Sequence, residues 1–173
     1  MPEDTFLSLQ PALLGFFINA PRYAYDLSRE FEHDLGRVWR LGRSLMYAQL
    51  KELAEQGYLA MDVVTQPNRP ARKIYYLTDA GRIRFAQWLN QPTMHIRNIR
   101  VEFLVRLYFF RTLNLPGLQE LVTKQKAVLG EMEDALEKNA GDIQDDYWRL
   151  VVDFRLGQIR AVQQWLELCL QTV

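Results

Sequence analysis

Apolar residues recur at steps of three and four along most of the chain, and the period changes once. Leu13, Leu14, Phe16, Phe17 and Ile18 predict a helix over 10–19, ended by Pro21, since proline disfavours helix for the residue before it. Ala24, Leu27, Phe31 and Leu35 predict a second helix from Arg22 to Leu35, stopped around Gly36. Met46, Leu50 and Leu53 predict a third, opened by Ser44 as N-cap and closed by Gly57. From Tyr58 to Val64, and again over Ile74-Tyr75-Tyr76-Leu77, β-branched and aromatic residues predict two strands. The polar stretch from Gln66 to Lys73 joins them as a hairpin. Thr78 then reads as the N-cap of a helix carrying Ile83, Phe85, Trp88 and Leu89. Three helices, a hairpin and a linking helix are the element order of a winged helix-turn-helix.

Beyond Pro92 the pattern is helical throughout. Ile96, Ile99, Phe103, Leu107 and Phe110 share one face of a helix over 96–111, broken at Asn114 and Pro116. Leu118, Leu121, Leu129, Met132 and Leu136 point inward from a second helix over 116–139. A third, over 142–170, carries two stripes. Ile143, Tyr147, Leu150, Phe154, Gln158, Ala161, Trp165 and Leu168 form a coiled-coil-like seam. Val152, Leu156, Ile159, Leu166 and Leu170 form the other. Three helices of one chain cover one stripe, so the other predicts a second subunit, with Phe154, Gln158, Ile159, Val162, Trp165, Leu166 and Cys169 as the dimerisation residues. The fold class expected is mainly α: a winged helix-turn-helix domain over 1–91 and a three-helix dimerisation extension over 92–173.

Charge changes the picture. Lys plus Arg and Asp plus Glu balance at 21 each, which by itself gives no hint of a nucleic-acid partner. Residues 36–84, however, hold nine basic residues against four acidic ones, and 130–153 hold two against eight. The positive surplus falls on the third helix and the hairpin, the elements a winged helix presents to double-stranded DNA. Arg69, Arg72 and Lys73, on the short proline-bearing loop of the hairpin, suit phosphates. Arg43 and Ser44, at the start of the third helix, suit a phosphate at its positive dipole end. Leu45, Ala48, Gln49 and Lys51 are placed to face the groove, where Gln reads adenine and a small apolar group meets a thymine methyl. Tyr47 offers its ring to the domain and its hydroxyl to a phosphate, or is a plain core tyrosine.

Other chemistries find little support. The chain has no Gly-rich phosphate loop, no zincin His-Glu spacing and no Gly-x-Ser-x-Gly elbow, so neither an enzyme nor a cofactor or metal is expected. The single cysteine, Cys169, suits a reducing cytoplasm, and on an apolar helix it reads as packing. The acidic start Met1-Pro2-Glu3-Asp4-Thr5 does not read as a signal peptide, and no apolar run is long enough to span a membrane. An apolar content of 49% supports a packed core. The aromatic residues of the helical half point to a pocket for a small aromatic effector, with Tyr108, Trp148 and Trp165 as its lining.

Several spaced motifs also occur in order: Leu13-Leu14-Gly15; Pro21 with Tyr25-Asp26-Leu27; Trp39; Met46 to Leu53 closed by Gly57; and Arg69-Pro70-Ala71-Arg72-Lys73-Ile74-Tyr75-Tyr76-Leu77-Thr78-Asp79-Ala80-Gly81-Arg82. Over about residues 10–90 the chain resembles the PadR family of bacterial transcriptional regulators, departing from the usual pattern at Leu45 and Met46. Its second half is similar to the virulence-activator alpha C-terminal type. The resemblance implies a homodimer on a pseudo-palindromic operator and repression relieved by a small molecule. The other reading of the same residues is a winged-helix protein-interaction module that does not bind DNA.

Overall fold

A computed structural model describes residues 3–66, 69–141 and 143–172, forming two compact units, Met1–Leu89 and Asn90–Val173. In the first unit, α1 (Glu3–Gly15) packs against two later helices, α3 (Arg43–Glu55) and α4 (Asp79–Leu89). It begins well before the predicted helix and ends before it. Pro11 lies inside it, and the burial of Leu9, Ala12, Leu13 and Leu14 outweighs the lost backbone bond. The chain leaves the helix at Gly15 through tight turns, so Pro21 does not end it. A two-residue strand unseen in the pattern, β1 (Arg22–Tyr23), precedes α2 (Ala24–Leu35).

Helix α3 (Arg43–Glu55) has Gly42 as its N-cap; Ser44, expected there, lies in the first turn with an exposed side chain. Met46, Leu50 and Leu53 are buried, as their spacing predicts. Strands β2 (Leu59–Gln66) and β3 (Arg69–Leu77) form the antiparallel wing, paired from Leu59↔Leu77 to Gln66↔Arg69 with an irregularity between Val64 and Gln66. The sheet order is β1-β3-β2, with Arg22 opposite Tyr75.

The junction into α4 (Asp79–Leu89) follows from Thr78. Its Oγ1 accepts from the Gly81 N–H at 3.1 Å and lies 2.8 Å from the Gly57 carbonyl oxygen, tying the helix start to the end of α3. Gly57 is left-handed at φ +78°, as a helix C-terminus favours. At Gly81 a Cβ would lie 2.2 Å from the Tyr58 carbonyl oxygen, so only glycine allows this approach.

In the second unit, α5 (Ile96–Asn98), a π-helical segment (Ile99–Phe103) and α6 (Leu104–Thr112) run on without a break. The π segment advances the helix face. Ile99, Phe103 and Phe110 are buried as expected, but Val105, Arg106 and Phe109 also turn inward while Leu107 is only half-buried. Helices α7 (Leu118–Ala140) and α8 (Asp146–Thr172) pack as a pair. On their exposed side Lys126 meets Glu167, and Arg160 reaches Glu133 at 2.7 Å and Glu137 at 2.6 Å.

A buried polar cluster lies inside this unit. The Gln125 amide accepts from the Thr93 N–H at 2.6 Å and donates to the Thr93 carbonyl at 2.9 Å. Arg106, 3% exposed, donates to Thr93 Oγ1 at 2.7 Å and pairs with Glu102 at 3.4 Å. Desolvation lowers the Arg106 pKa and Glu102 opposes that shift.

Candidate nucleic-acid interface

The pairing of β1 with β3 sets the N-terminus of α2 between α3 and the wing. Arg22 fixes this junction: its Nε donates to the Phe16 carbonyl at 2.9 Å, and its guanidinium pairs with Glu30 at 3.1 Å. Burial raises the Glu30 pKa, and Arg22 partly offsets that rise. The result is a groove of about 770 Å³ lined by Tyr23, Ala24, Tyr25 and Asp26 from the junction, Tyr47, Ala48 and Lys51 from α3, and Ala71, Arg72, Lys73 and Tyr75 from β3.

Five residues singled out from sequence, Tyr47, Ala48, Lys51, Arg72 and Lys73, therefore line one concavity, and all five are exposed. Tyr47 is 39% exposed and is not a core tyrosine. Burial pushes the Tyr75 phenol up from its ordinary value. Lys51 also reaches Glu55 at 3.5 Å, an ion pair in the solvent worth little to stability. Arg43 and Ser44 are exposed at the helix start, with the Arg43 guanidinium 6.0 Å from the centre of the Tyr25 ring.

Two expected base readers are placed otherwise. Leu45 is half-buried, and Gln49 is half-buried with its amide donating to Glu52 at 3.2 Å. Gln49 lies about 200° around the helix from Tyr47, given 3.6 residues per turn, and lines no part of the groove. The side chain of Arg69 lies outside the described residues. Tyr23, Ala24, Tyr25, Asp26, Ala71 and Tyr75 were not singled out as site residues; the only signal for Tyr25, Asp26, Ala71 and Tyr75 as a group was their place in the family motifs.

The helical unit separates the other predicted residues. Ile159, Leu166 and Cys169, expected at a subunit interface, are 2%, 0% and 4% exposed. They are buried in their own unit, because the stripe they share with Leu156 is covered intramolecularly, where α8 packs on α7. Burial also pushes the Cys169 thiol up. The exposed stripe is the other one: Phe154 and Gln158 face solvent with Tyr147, Leu150 and Leu168, while Val162 and Trp165 are half-buried.

The three expected effector residues are not brought together either. Trp165 lines a groove of about 700 Å³ with residues of α5, the π segment, α6 and α8, whereas Tyr108 stacks edge-on with Phe109 at 5.2 Å and Trp148 with Tyr147 at 5.3 Å. Neither Tyr108 nor Trp148 lines that groove.

Two family profiles divide the chain. That of the transcriptional regulator PadR-like family matches residues 13–87, and that of the virulence activator alpha C-terminal type matches 99–173. The chain belongs to the PadR-like family of transcriptional regulators. The family is one of regulators, not enzymes. The negative transcriptional regulator PadR of Bacillus subtilis is 27% identical over 134 residues, 75% of this chain and 74% of that protein. Two solved structures are also similar. Bacillus subtilis PadR in complex with operator DNA aligns over 92% of this chain and 96% of that one, at 24% identity and a TM-score of 0.49. The same protein in complex with p-coumaric acid aligns over 95% and 94%, at 24% identity and a TM-score of 0.45. Among the described residues no helix is long and apolar enough to cross a membrane.

Proposed function

We propose that this PadR-like chain is a sequence-specific DNA-binding repressor, working in the cytoplasm as a homodimer on a pseudo-palindromic operator and released by a small aromatic effector. Residues 1–91 bind DNA, and 92–173 dimerise and take the effector. The observation that carries the reading is the groove that gathers Lys51 of the recognition helix with Arg72 and Lys73 of the wing around tyrosine rings. A recognition helix in the major groove and a wing on neighbouring phosphates need cations on these two elements together. Further support comes from family membership and from the negative regulator of Bacillus subtilis, whose operator and p-coumaric acid complexes are that protein's own.

The dimer uses the stripe of α8 left in solvent, Tyr147, Leu150, Phe154 and Leu168, an apolar face too extensive for isolated surface residues. Two-fold symmetry then sets half-sites about one helical turn, or a multiple of it, apart.

Fluorescence anisotropy with the intergenic DNA upstream of the protein's own gene tests the reading. Binding should weaken steeply with salt, and Arg72→Ala or Lys73→Ala should weaken it on every sequence and reduce the salt slope by about one each. Salt-independent affinity, or an unchanged slope in both variants, would overturn the assignment of the wing. Failure to bind any such DNA would favour a winged helix that docks proteins instead.

A further inference from the structure

The groove of the first unit does not use every cation of residues 36–84. Arg37 and Arg40 lie on neither α3 nor the wing but on the loop 36–42 between α2 and α3, and line no part of that groove. The loop is held from inside. The Val38 and Trp39 N–H groups donate to the Leu35 carbonyl at 2.8 and 2.7 Å. The half-buried Trp39 ring meets the buried Phe31 ring edge-on, centroids 6.3 Å apart at 62°. With Trp39 anchored, Arg37 and Arg40 on either side of it stand exposed. They line a pocket of about 720 Å³ with Arg43 from the first turn of α3. Glu32 is the one carboxylate among the lining residues, and among the described residues none of the three arginines forms an ion pair. Guanidiniums gathered in one concavity repel one another, and a bound polyanion removes that repulsion.

The pocket continues the DNA interface. Arg43 lines it, and the Arg43 guanidinium lies 6.0 Å from the centre of the Tyr25 ring, which lines the groove. On α3, Arg43, Tyr47 and Lys51 recur at steps of four and share one face. Eight residues at 1.5 Å each carry that stripe over about 12 Å, the width of the DNA major groove. The loop arginines at the start of α3 and Lys51 with the wing farther along therefore border different phosphates. We propose that the pocket of Arg37, Arg40 and Arg43 is a second backbone clamp, holding phosphates of the duplex that the wing does not reach. The inference rests on the DNA-binding reading above and adds the α2–α3 loop to its contact surface. Guanidinium forks match phosphate oxygens, and a loop already fixed by Trp39 loses little freedom on binding.

Anisotropy titrations of the full chain on its bound upstream duplex, with single phosphates replaced by neutral methylphosphonates, test this. Arg37→Gln and Arg40→Gln should each reduce the salt slope by about one, while Arg37→Lys and Arg40→Lys keep it. Both positions are exposed, so melting temperature should not move. Neutralising one set of phosphates should weaken the unmodified chain without further weakening the two glutamine variants. A different set should behave so for Arg72→Ala. Unchanged slopes in both glutamine variants, or one shared set of phosphates for loop and wing, would overturn the clamp, while a reduced slope in Arg72→Ala would still uphold the DNA-binding reading. Salt-independent binding by the unmodified chain would overturn both. Inorganic pyrophosphate, titrated by calorimetry at constant ionic strength, probes the other source of the same chemistry. Saturable binding at one per chain, lost in Arg37→Gln and Arg40→Gln, would give the pocket to a free phosphate compound and overturn the clamp.

Discussion

Ala48 and Gln49 are adjacent on the recognition helix and invite opposite treatment. By chemistry Gln49 is the better base reader, since its amide matches adenine. In the folded chain that amide is engaged by Glu52 at 3.2 Å and turned away from the groove, while the methyl of Ala48 lines it. Neighbours in sequence lie about 100° apart on a helix, so which of two adjacent side chains faces a ligand depends on how the helix is rolled onto its core. Here Met46, Leu50 and Leu53 fix that roll. Ala48→Glu should therefore reduce DNA affinity by about a hundredfold or more, by placing a carboxylate where phosphates and base edges approach, with little change in melting temperature at this exposed position. Gln49→Ala should change both affinity and base preference by less than about threefold. Anisotropy on a panel of single-base operator variants reads both; a strong change of preference in Gln49→Ala would return that residue to the interface.

At the scale of elements, long periodic segments were legible and short or irregular ones were not. Helices α2, α3, α4, α7 and α8 follow from spacing, with ends displaced by a few residues. Both wing strands were foreseen, although β3 begins at Arg69, inside the stretch expected as loop, so Arg72 and Lys73 lie in strand paired with Val64 and Val63. The two-residue β1 has no periodicity of its own and exists because β3 offers it an edge. That pairing brings Tyr23, Ala24, Tyr25 and Asp26 into the groove, so this part of the site had no local signal. The π segment is likewise invisible to a 3.6-residue template, and it re-phases the buried face beyond it. Gln125, 0% exposed on α7, reads as a surface residue until its amide is seen to serve both backbone groups of Thr93. Replacing it by alanine leaves a buried donor and acceptor without their partner. Gln125→Ala should cost on the order of 2–4 kcal/mol, checked by urea unfolding followed by circular dichroism.

For the whole molecule, a net charge of zero conceals a partition: the basic surplus lies within the first unit and the acidic one within the second. The apolar balance is partitioned too. Helix α8 carries two stripes, and from sequence the one with Leu156, Ile159 and Leu166 was expected to face a second subunit. The fold buries Leu156, Ile159, Leu166 and Cys169, leaving Phe154 66% and Leu150 68% exposed. Phe154→Glu should thus convert the proposed dimer to monomer at micromolar concentration in sedimentation equilibrium, without loss of helical signal, because the side chain already lies in water within the single chain. A wild-type monomer under those conditions would reject the dimer. Retention of dimer in the variant would move its seam elsewhere.

The sequence by itself determined the winged-helix element order, the helical character of the second half, the cations of α3 and the wing, and the family. These depend on local quantities: period, caps, turn residues, and motifs read in order. Only the tertiary structure decided which α3 side chains face the groove, which α8 stripe is internal, and what surrounds Trp165. Each of these depends on the roll or pairing of one element against another, and long-range burial fixes those relations where local propensity leaves them open.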